Sequence, residues 1–329
     1  MTNTVLLKLQ DPVLAALLAG VTSLVLTPFV RKFAIQKGAV DDPTRDDRRV
    51  HTTITPRWGG LAIYGAIVVG ILGILLINHQ PIKTYIWGIL IMSGILVVVG
   101  ALDDLYQYKA KVQAIILLLT GVGVQFIYSD KLSRVQIVGF SIPGTSEYLN
   151  LGIAAIPITA FYLFVVTKTM DTIDGIDGLT AGIATIAGTA LTLIAILQGY
   201  SNVAVYAAAV AGASLGFLKH NYNPAKIFMG TGGAYVLGFT LACLSVVGTL
   251  KTIFMPMLIF GLPIFDAIVV ISRRILSGNP ITQADKRHLH HELLGRGLTQ
   301  RQAVWVLYTA AALLCAAGLL LVRLYGPRP

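Results

Sequence analysis

The sequence predicts an all-α polytopic membrane protein of about ten transmembrane helices, with its polar clusters on the cytoplasmic face and a small external hairpin. Three observations carry that prediction. Hydrophobic residues make up 55% and charged residues 12% of the 329-residue chain, and the mean hydropathy is +0.76. Soluble domains run roughly 45–50% apolar and about 25% charged. The apolar residues gather into runs close to the ~20 residues that cross a hydrocarbon layer, and 18 of the 25 Lys and Arg fall in alternate connections between those runs.

The first run covers 12–30. It follows only a short polar stretch and lacks a small-residue cleavage site, so it is expected to stay as a helix rather than be removed as a signal. Runs at 58–77, 84–102 and 112–128 give helices two to four, and 151–168, 178–198 and 202–219 give helices five to seven. Helices eight to ten are expected at 231–249, 252–275 and 303–323. Cys243 and Cys315 fall inside two of these runs, where a thiol acts as a small packing residue, so neither a disulfide nor a thiolate metal site is expected. Between helices four and five, Val135 to Phe140, Pro143-Gly144 and Tyr148 to Leu151 suggest a hairpin. The even spacing of the runs argues for a single domain over 1–329.

Under the positive-inside rule, the side holding 18 cationic residues is cytoplasmic and both termini lie outside, in a multi-pass protein of the plasma membrane. The net charge of +10 is therefore first a topology signal, and nucleic acid binding has no support. The same topology delivers Asp41 to Arg57, Asp103-Asp104, the 171–177 segment, Asn221 to Lys226 and the histidine loop to one face. Carboxylates at the edge of a hydrocarbon layer are costly unless hydrated, paired or bound to a cation. Asp103 and Asp104 with Asp171, Asp174 and Asp177 therefore point to one polyanionic, cation-binding centre.

Hard oxygen ligands suit magnesium, while Lys and His suit phosphate. His288, His290 and His291 lack a clear set of further zinc ligands, which leaves phosphate or sugar contacts, or a solvated basic loop. A transporter should show carboxylates at mid-span, and helices two, six, eight and ten contain none. Gly230 to Gly233 suggests close helix packing rather than a phosphate loop.

These motifs, in order, resemble the polyprenyl-phosphate N-acetylhexosamine-1-phosphate transferase family (glycosyltransferase family 4). They are Val50-His51 to Pro56-Arg57-Trp58-Gly59-Gly60; Gly-Ala-Leu-Asp-Asp ending at Asp104, with Lys111 downstream; Asp-Gly-Ile-Asp-Gly-Leu from Asp174; Asn-Tyr-Asn-Pro-Ala-Lys-Ile-Phe-Met-Gly from Asn221; and Arg-His-Leu-His-His-Glu-Leu-Leu-Gly-Arg-Gly-Leu-Thr-Gln-Arg-Gln-Ala over 287–303. The resemblance implies a ten- or eleven-helix enzyme that moves a sugar-1-phosphate from a UDP-N-acetylhexosamine to a polyprenyl phosphate lipid, releasing UMP. It implies Mg2+, with Mn2+ as a substitute, and is compatible with a homodimer.

By motif position, Asp103 and Asp104 match the pair that contacts lipid phosphate or holds metal, and Asp174 and Asp177 match positions facing nucleotide and pyrophosphate. Asn221 and Phe228 match uracil contacts, and Lys111 matches the basic residue that follows the paired aspartates. The order His-x-His-His at His288, His290 and His291 resembles the branch that takes UDP-N-acetylglucosamine, which favours that hexosamine over muramoyl-pentapeptide. Where the family has Met-Gly-Asp, this chain has Met229-Gly230-Thr231, and Asp171 returns a carboxylate nearby. Asp171 and Thr231 are thus the expected metal positions in an active variant; a non-catalytic relative that keeps lipid or nucleotide binding is the alternative.

Overall fold

The computed structural model describes residues 2–41, 54–79, 83–128, 134–141, 148–249, 254–278 and 288–325. Val50, His51 and Arg287, which belong to the motifs above, lie outside them. The helices in chain order are α1 (Thr2–Gln36), α2 (Gly59–Ile77), α3 (Thr84–Tyr106), α4 (Ala110–Gly123), α5 (Ala155–Thr172), α6 (Leu179–Leu197), α7 (Ser201–Asn221), α8 (Gly230–Thr249), α9 (Phe254–Ile259), α10 (Gly261–Leu276), α11 (Leu289–Gly295) and α12 (Gln300–Tyr325). Among the described residues, eight helices are long and apolar enough to cross a membrane; α4 with the 3-10 turn Val124–Phe126 is a shorter apolar segment. The protein is thus an all-α, multi-pass membrane protein.

Each expected run coincides with helix, with one correction. The run at 252–275 is two helices, α9 and α10, interrupted at Phe260 (φ −101°, ψ 18°). The cause is local. Pro263 has no N–H to give, and such a residue is tolerated in the first turn of a new helix, not in the interior of an old one. The chain therefore restarts at Gly261. Helix α11, in the histidine loop, was not expected.

Two short antiparallel ladders join the helices. β3 (Gly139–Ser141) pairs with β4 (Tyr148–Asn150), Phe140 opposite Leu149, in the expected hairpin; its turn, with Pro143-Gly144, lies outside the described residues. β1 (Val40–Asp41) pairs with β2 (Thr55–Pro56), Asp41 opposite Thr55, which brings Asp41 beside the start of α2.

The centre of the bundle is α8, 89% buried over its apolar window, whereas the peripheral α1 is 22% buried. Lipid tails give no hydrophobic force between helices, so close packing of small residues takes its place. Gly60 of α2 and Gly100 of α3 lie directly against the backbone of Gly232 and Gly233, where an added Cβ would overlap backbone atoms. The glycine run thus packs helices, as expected. Hydrogen bonds between hydroxyls, Ser93 with Thr240 (2.9 Å) and Tyr162 with Ser245 (2.7 Å), tie α3 and α5 to the same helix. Cys243 and Cys315 are both buried thiols.

Candidate active site

The end of α3, the turn after α5, the loop after α7 and the start of α8 meet at one end of the bundle. They enclose a cavity of about 200 Å³ walled by Asp171, Asp174, Asp177, Asn221, Phe228 and Thr231, with Arg57, Asp41 and Gln300. The Asp103-Asp104 pair lies beside this cavity rather than in its wall and is joined to it through Thr231, so the two acidic clusters, 70 residues apart in sequence, form one centre.

Its geometry begins with Thr231. As the second residue of α8, it has a backbone N–H with no helical acceptor, as all first-turn amides do. That N–H donates to Asp104 Oδ1 (3.2 Å), and the Thr231 hydroxyl donates to Asp103 Oδ2 (3.0 Å). One threonine thus holds both aspartates. Arg57 donates from Nη1 to Asp104 Oδ1 (3.3 Å), and its Nη2 pairs with Asp41 Oδ2 (3.1 Å). Asp104 Oδ2 is buried with no hydrogen-bond partner among the described residues, and the Asp104 side chain is 1% exposed. A buried carboxylate oxygen in that state calls for a cation. Asp103 Oδ1 also caps the turn after α3, accepting from Tyr108 N–H (2.8 Å) and Gln113 Nε2 (3.0 Å).

Asp171 is engaged: Lys168 Nζ lies 2.6 Å from its Oδ2. Both expected metal positions, Asp171 and Thr231, therefore already serve other groups. Asp174 makes no ion pair among the described residues, and burial pushes its carboxyl up to about 7, with neighbouring Asp171 and Asp104 acting the same way and Arg57 opposing. Asp177 accepts from Asn223 Nδ2 and Ala225 N–H, both 2.9 Å, and so fixes the 222–226 loop. Asn221 joins the same loops: its Oδ1 accepts from Gly178 N–H (3.1 Å) and its Nδ2 donates to Ile227 O (3.0 Å). That clamp sets Phe228, whose N–H bonds Pro56 O, on the cavity wall.

No three His, Cys, Asp or Glu side chains converge on a single metal point among the described residues. Magnesium does not require that, since it is commonly held by one or two carboxylates plus phosphate oxygens and waters. The unpartnered Asp104 Oδ2 and the neighbouring Asp174 carboxyl are donors of the right kind.

The histidines stand behind the cavity rather than in its wall. His288 Nδ1 lies 2.6 Å from Asp266 Oδ2, and Leu289 N–H donates to Asp266 Oδ1 (2.8 Å), so Asp266 of α10 anchors α11. His290 is buried, and its Nε2 abuts Gly175 closely enough to exclude any Cβ there. It therefore backs the turn that carries Asp174. His291 lies beside it with its ring tilted, centroids 4.3 Å apart, and the His288 ring stacks on His290 at 5.7 Å. Lys111, in the first turn of α4, is exposed and not part of the cavity wall. Sequence reasoning missed Gln113 and Asp266, placed Asp41 and Gln300 within polar or motif stretches without a role of their own, and took Lys168 as a topology charge at the altered entry to the aspartate motif. The one signal for Asp266 was an acid inside an apolar run.

Burial, reinforced by His291 and His288 and opposed by Asp266, drives the His290 imidazole down to about 3. The unfolded chain takes that proton near pH 6.5 and the folded one only near 3, so this contribution to stability is full above about 6.5 and declines as pH falls below it. Thermal unfolding should occur at lower temperature at pH 5.5 than at 7.5, and His290→Leu should flatten the difference. An equal pH response in that variant would assign the effect elsewhere.

Residues 86–249 match the family model described as glycosyl transferase family 4. The chain is 37% identical over 301 residues to a probable undecaprenyl-phosphate N-acetylglucosaminyl 1-phosphate transferase of Bacillus subtilis, covering 90% of this chain and 81% of that protein. It is 30% identical over 355 residues to a decaprenyl-phosphate N-acetylglucosaminephosphotransferase of Mycolicibacterium smegmatis, covering 94% and 84%. A third relative, the undecaprenyl-phosphate alpha-N-acetylglucosaminyl 1-phosphate transferase of Escherichia coli K12, is 30% identical over 306 residues, covering 89% and 79%.

Proposed function

Since this chain belongs to glycosyl transferase family 4, we propose that it transfers N-acetylglucosamine-1-phosphate from UDP-N-acetylglucosamine to a polyprenyl phosphate lipid and releases UMP. The observation that carries the reading is the convergence of Asp174, Asn221, Phe228 and Thr231 around one cavity at the end of the bundle, with Asp104 of a fourth segment held behind its wall by the Thr231 amide. The product is a lipid-linked amino sugar that primes a cell-wall or surface polysaccharide. The Lys and Arg bias supports a cytoplasmic cavity and external termini.

A phosphate monoester has its second pKa near 6, so the lipid phosphate arrives largely as a dianion and needs little help from a base. Its oxygen attacks the β-phosphorus of the sugar nucleotide, and the bond from that phosphorus to the oxygen bridging the α-phosphate breaks as UMP leaves. The protein's task is positioning and charge neutralisation. Arg57 and the Thr231 amide hold Asp104 in place, and Asp177 with Asn221 holds the loop that presents Phe228 to the uracil face. Asp104 and Asp174 supply hard oxygens for Mg2+, which when bound neutralises pyrophosphate oxygens. Incubation of the purified protein with UDP-N-acetylglucosamine, polyprenyl phosphate and magnesium should release UMP, and omission of either substrate should stop it. No UMP under any of these conditions, with nucleotide binding retained, would favour a non-catalytic relative.

A further inference from the structure

The acidic centre contains cations of its own, unequally shared. Arg57 serves Asp41 and one oxygen of Asp104. Lys168 serves the other side: its ammonium donates to Asp171 Oδ2 (2.6 Å) and to Gln113 Oε1 (2.8 Å), and it lies 5.9 Å from the centroid of the Tyr235 ring. Gln113 passes the connection on, donating from Nε2 to Asp103 Oδ1 (3.0 Å). An amide in this position relays orientation but no charge. Asp171 therefore has a protein cation in direct contact, whereas Asp104 Oδ2, in a side chain 1% exposed, has none.

We propose that Lys168 is a positioning residue, a resident cation that withholds Asp171 from the exchangeable divalent ion and, through Gln113, fixes the orientation of Asp103. The divalent ion then enters at Asp104 Oδ2 and the adjacent Asp174. The inference rests on the metal-assisted reading above but is separable from it, because it concerns metal affinity in the absence of substrate. A lysine is well suited to the task. Its ammonium is a compact point charge whose three donors satisfy a carboxylate and an amide at once. The arrangement also explains how Asp171, a carboxylate that lines the cavity, adds no net charge to the site, since affinity for hard cations rises with the number of charged ligands.

The experiment is Mn2+ binding to the purified full chain in detergent, followed by electron paramagnetic resonance without nucleotide or lipid. Asp104→Asn should weaken binding by about tenfold or more by removing an available ligand, and Asp171→Asn, which removes no available ligand but leaves the Lys168 charge unpaired, should weaken it by less. Lys168→Met should tighten binding by about tenfold by releasing Asp171, and Lys168→Arg should keep the native affinity. Adding Asp171→Asn to Lys168→Met should abolish the gain, a pattern that a merely structural role for Lys168 does not produce. The proposal is overturned if Asp171→Asn alone weakens binding as much as Asp104→Asn, or if Lys168→Met leaves affinity unchanged or lower. Should Lys168→Met not fold, the comparison of the two aspartate variants decides. Absence of Mn2+ binding in every variant also overturns it, while UMP release judges the transfer reaction independently.

Discussion

Asp104→Asn is expected to lower the rate of UMP release at least about a hundredfold, equivalent to about 2.7 kcal/mol of transition-state stabilisation. The substitution keeps the side-chain shape. An Asn Oδ1 can still accept from Arg57 and from the Thr231 amide, and Arg57 keeps its ion pair with Asp41, so no charge is stranded. What disappears is the negative charge at the unpartnered oxygen, and phosphoryl transfer depends on fixed charges more than on covalent participation by the protein. Steady-state UMP release, with thermal unfolding as a check on folding, measures the effect. A variant that unfolds normally and turns over at a near-native rate would remove Asp104 from the reaction.

The largest loss of stability is expected for Gly100→Ala. The new Cβ would overlap the Gly232 backbone amide and Cα, and it would lie 2.9 Å from the Thr231 carbonyl carbon. Backbone atoms cannot rotate away as a side chain can, so α3 and α8 must separate. Overpacking of this kind costs about 1–3 kcal/mol, and rigid helix backbones on both sides place this case at about the upper end. The same separation draws Thr231 away from Asp103 and Asp104, so activity should fall with the apparent unfolding temperature in detergent. Gly295→Ala, which meets nothing within 4 Å, is the matched control. Equal unfolding temperatures for the two variants would show that the contact between α3 and α8 is looser than its geometry indicates.

Hydropathy made the helices legible because lipid selects for long apolar runs, but it is blind to breaks inside one. Gly261 and Pro263 were the only marks of the interruption between α9 and α10, and both residues also occur in unbroken membrane helices. The two-residue ladder that places Asp41 was too short to leave a periodic signal. In the site, Asp174, Asn221, Phe228 and Thr231 were legible as motifs and do meet at one cavity. The use each side chain makes of its atoms was not. Asn221 and Asp177 spend hydrogen bonds on the loops they hold, and His290 supports a turn from behind, because partner choice depends on which segments fold together. Lys168 counted as a topology charge at the altered entry to the aspartate motif, and only the packing of α4 against α5 shows it bridging two aspartate-bearing segments through Gln113.

The burial of α8 bears on how the protein is made. Its hydropathy of 1.5 is lower than the 2.2 of the lipid-facing α1, so it is less suited to a solitary life in the bilayer and better suited to a berth among other helices. The ribosome delivers it after α2 and α3, whose Gly60 and Gly100 form part of that berth. Thr231 rides on its first turn, so Asp103 and Asp104 receive its hydroxyl and amide only when α8 seats. Maturation of the chain and acquisition of an ordered acidic centre are thereby a single event: a nascent protein cannot present the finished centre before its last central helix is home.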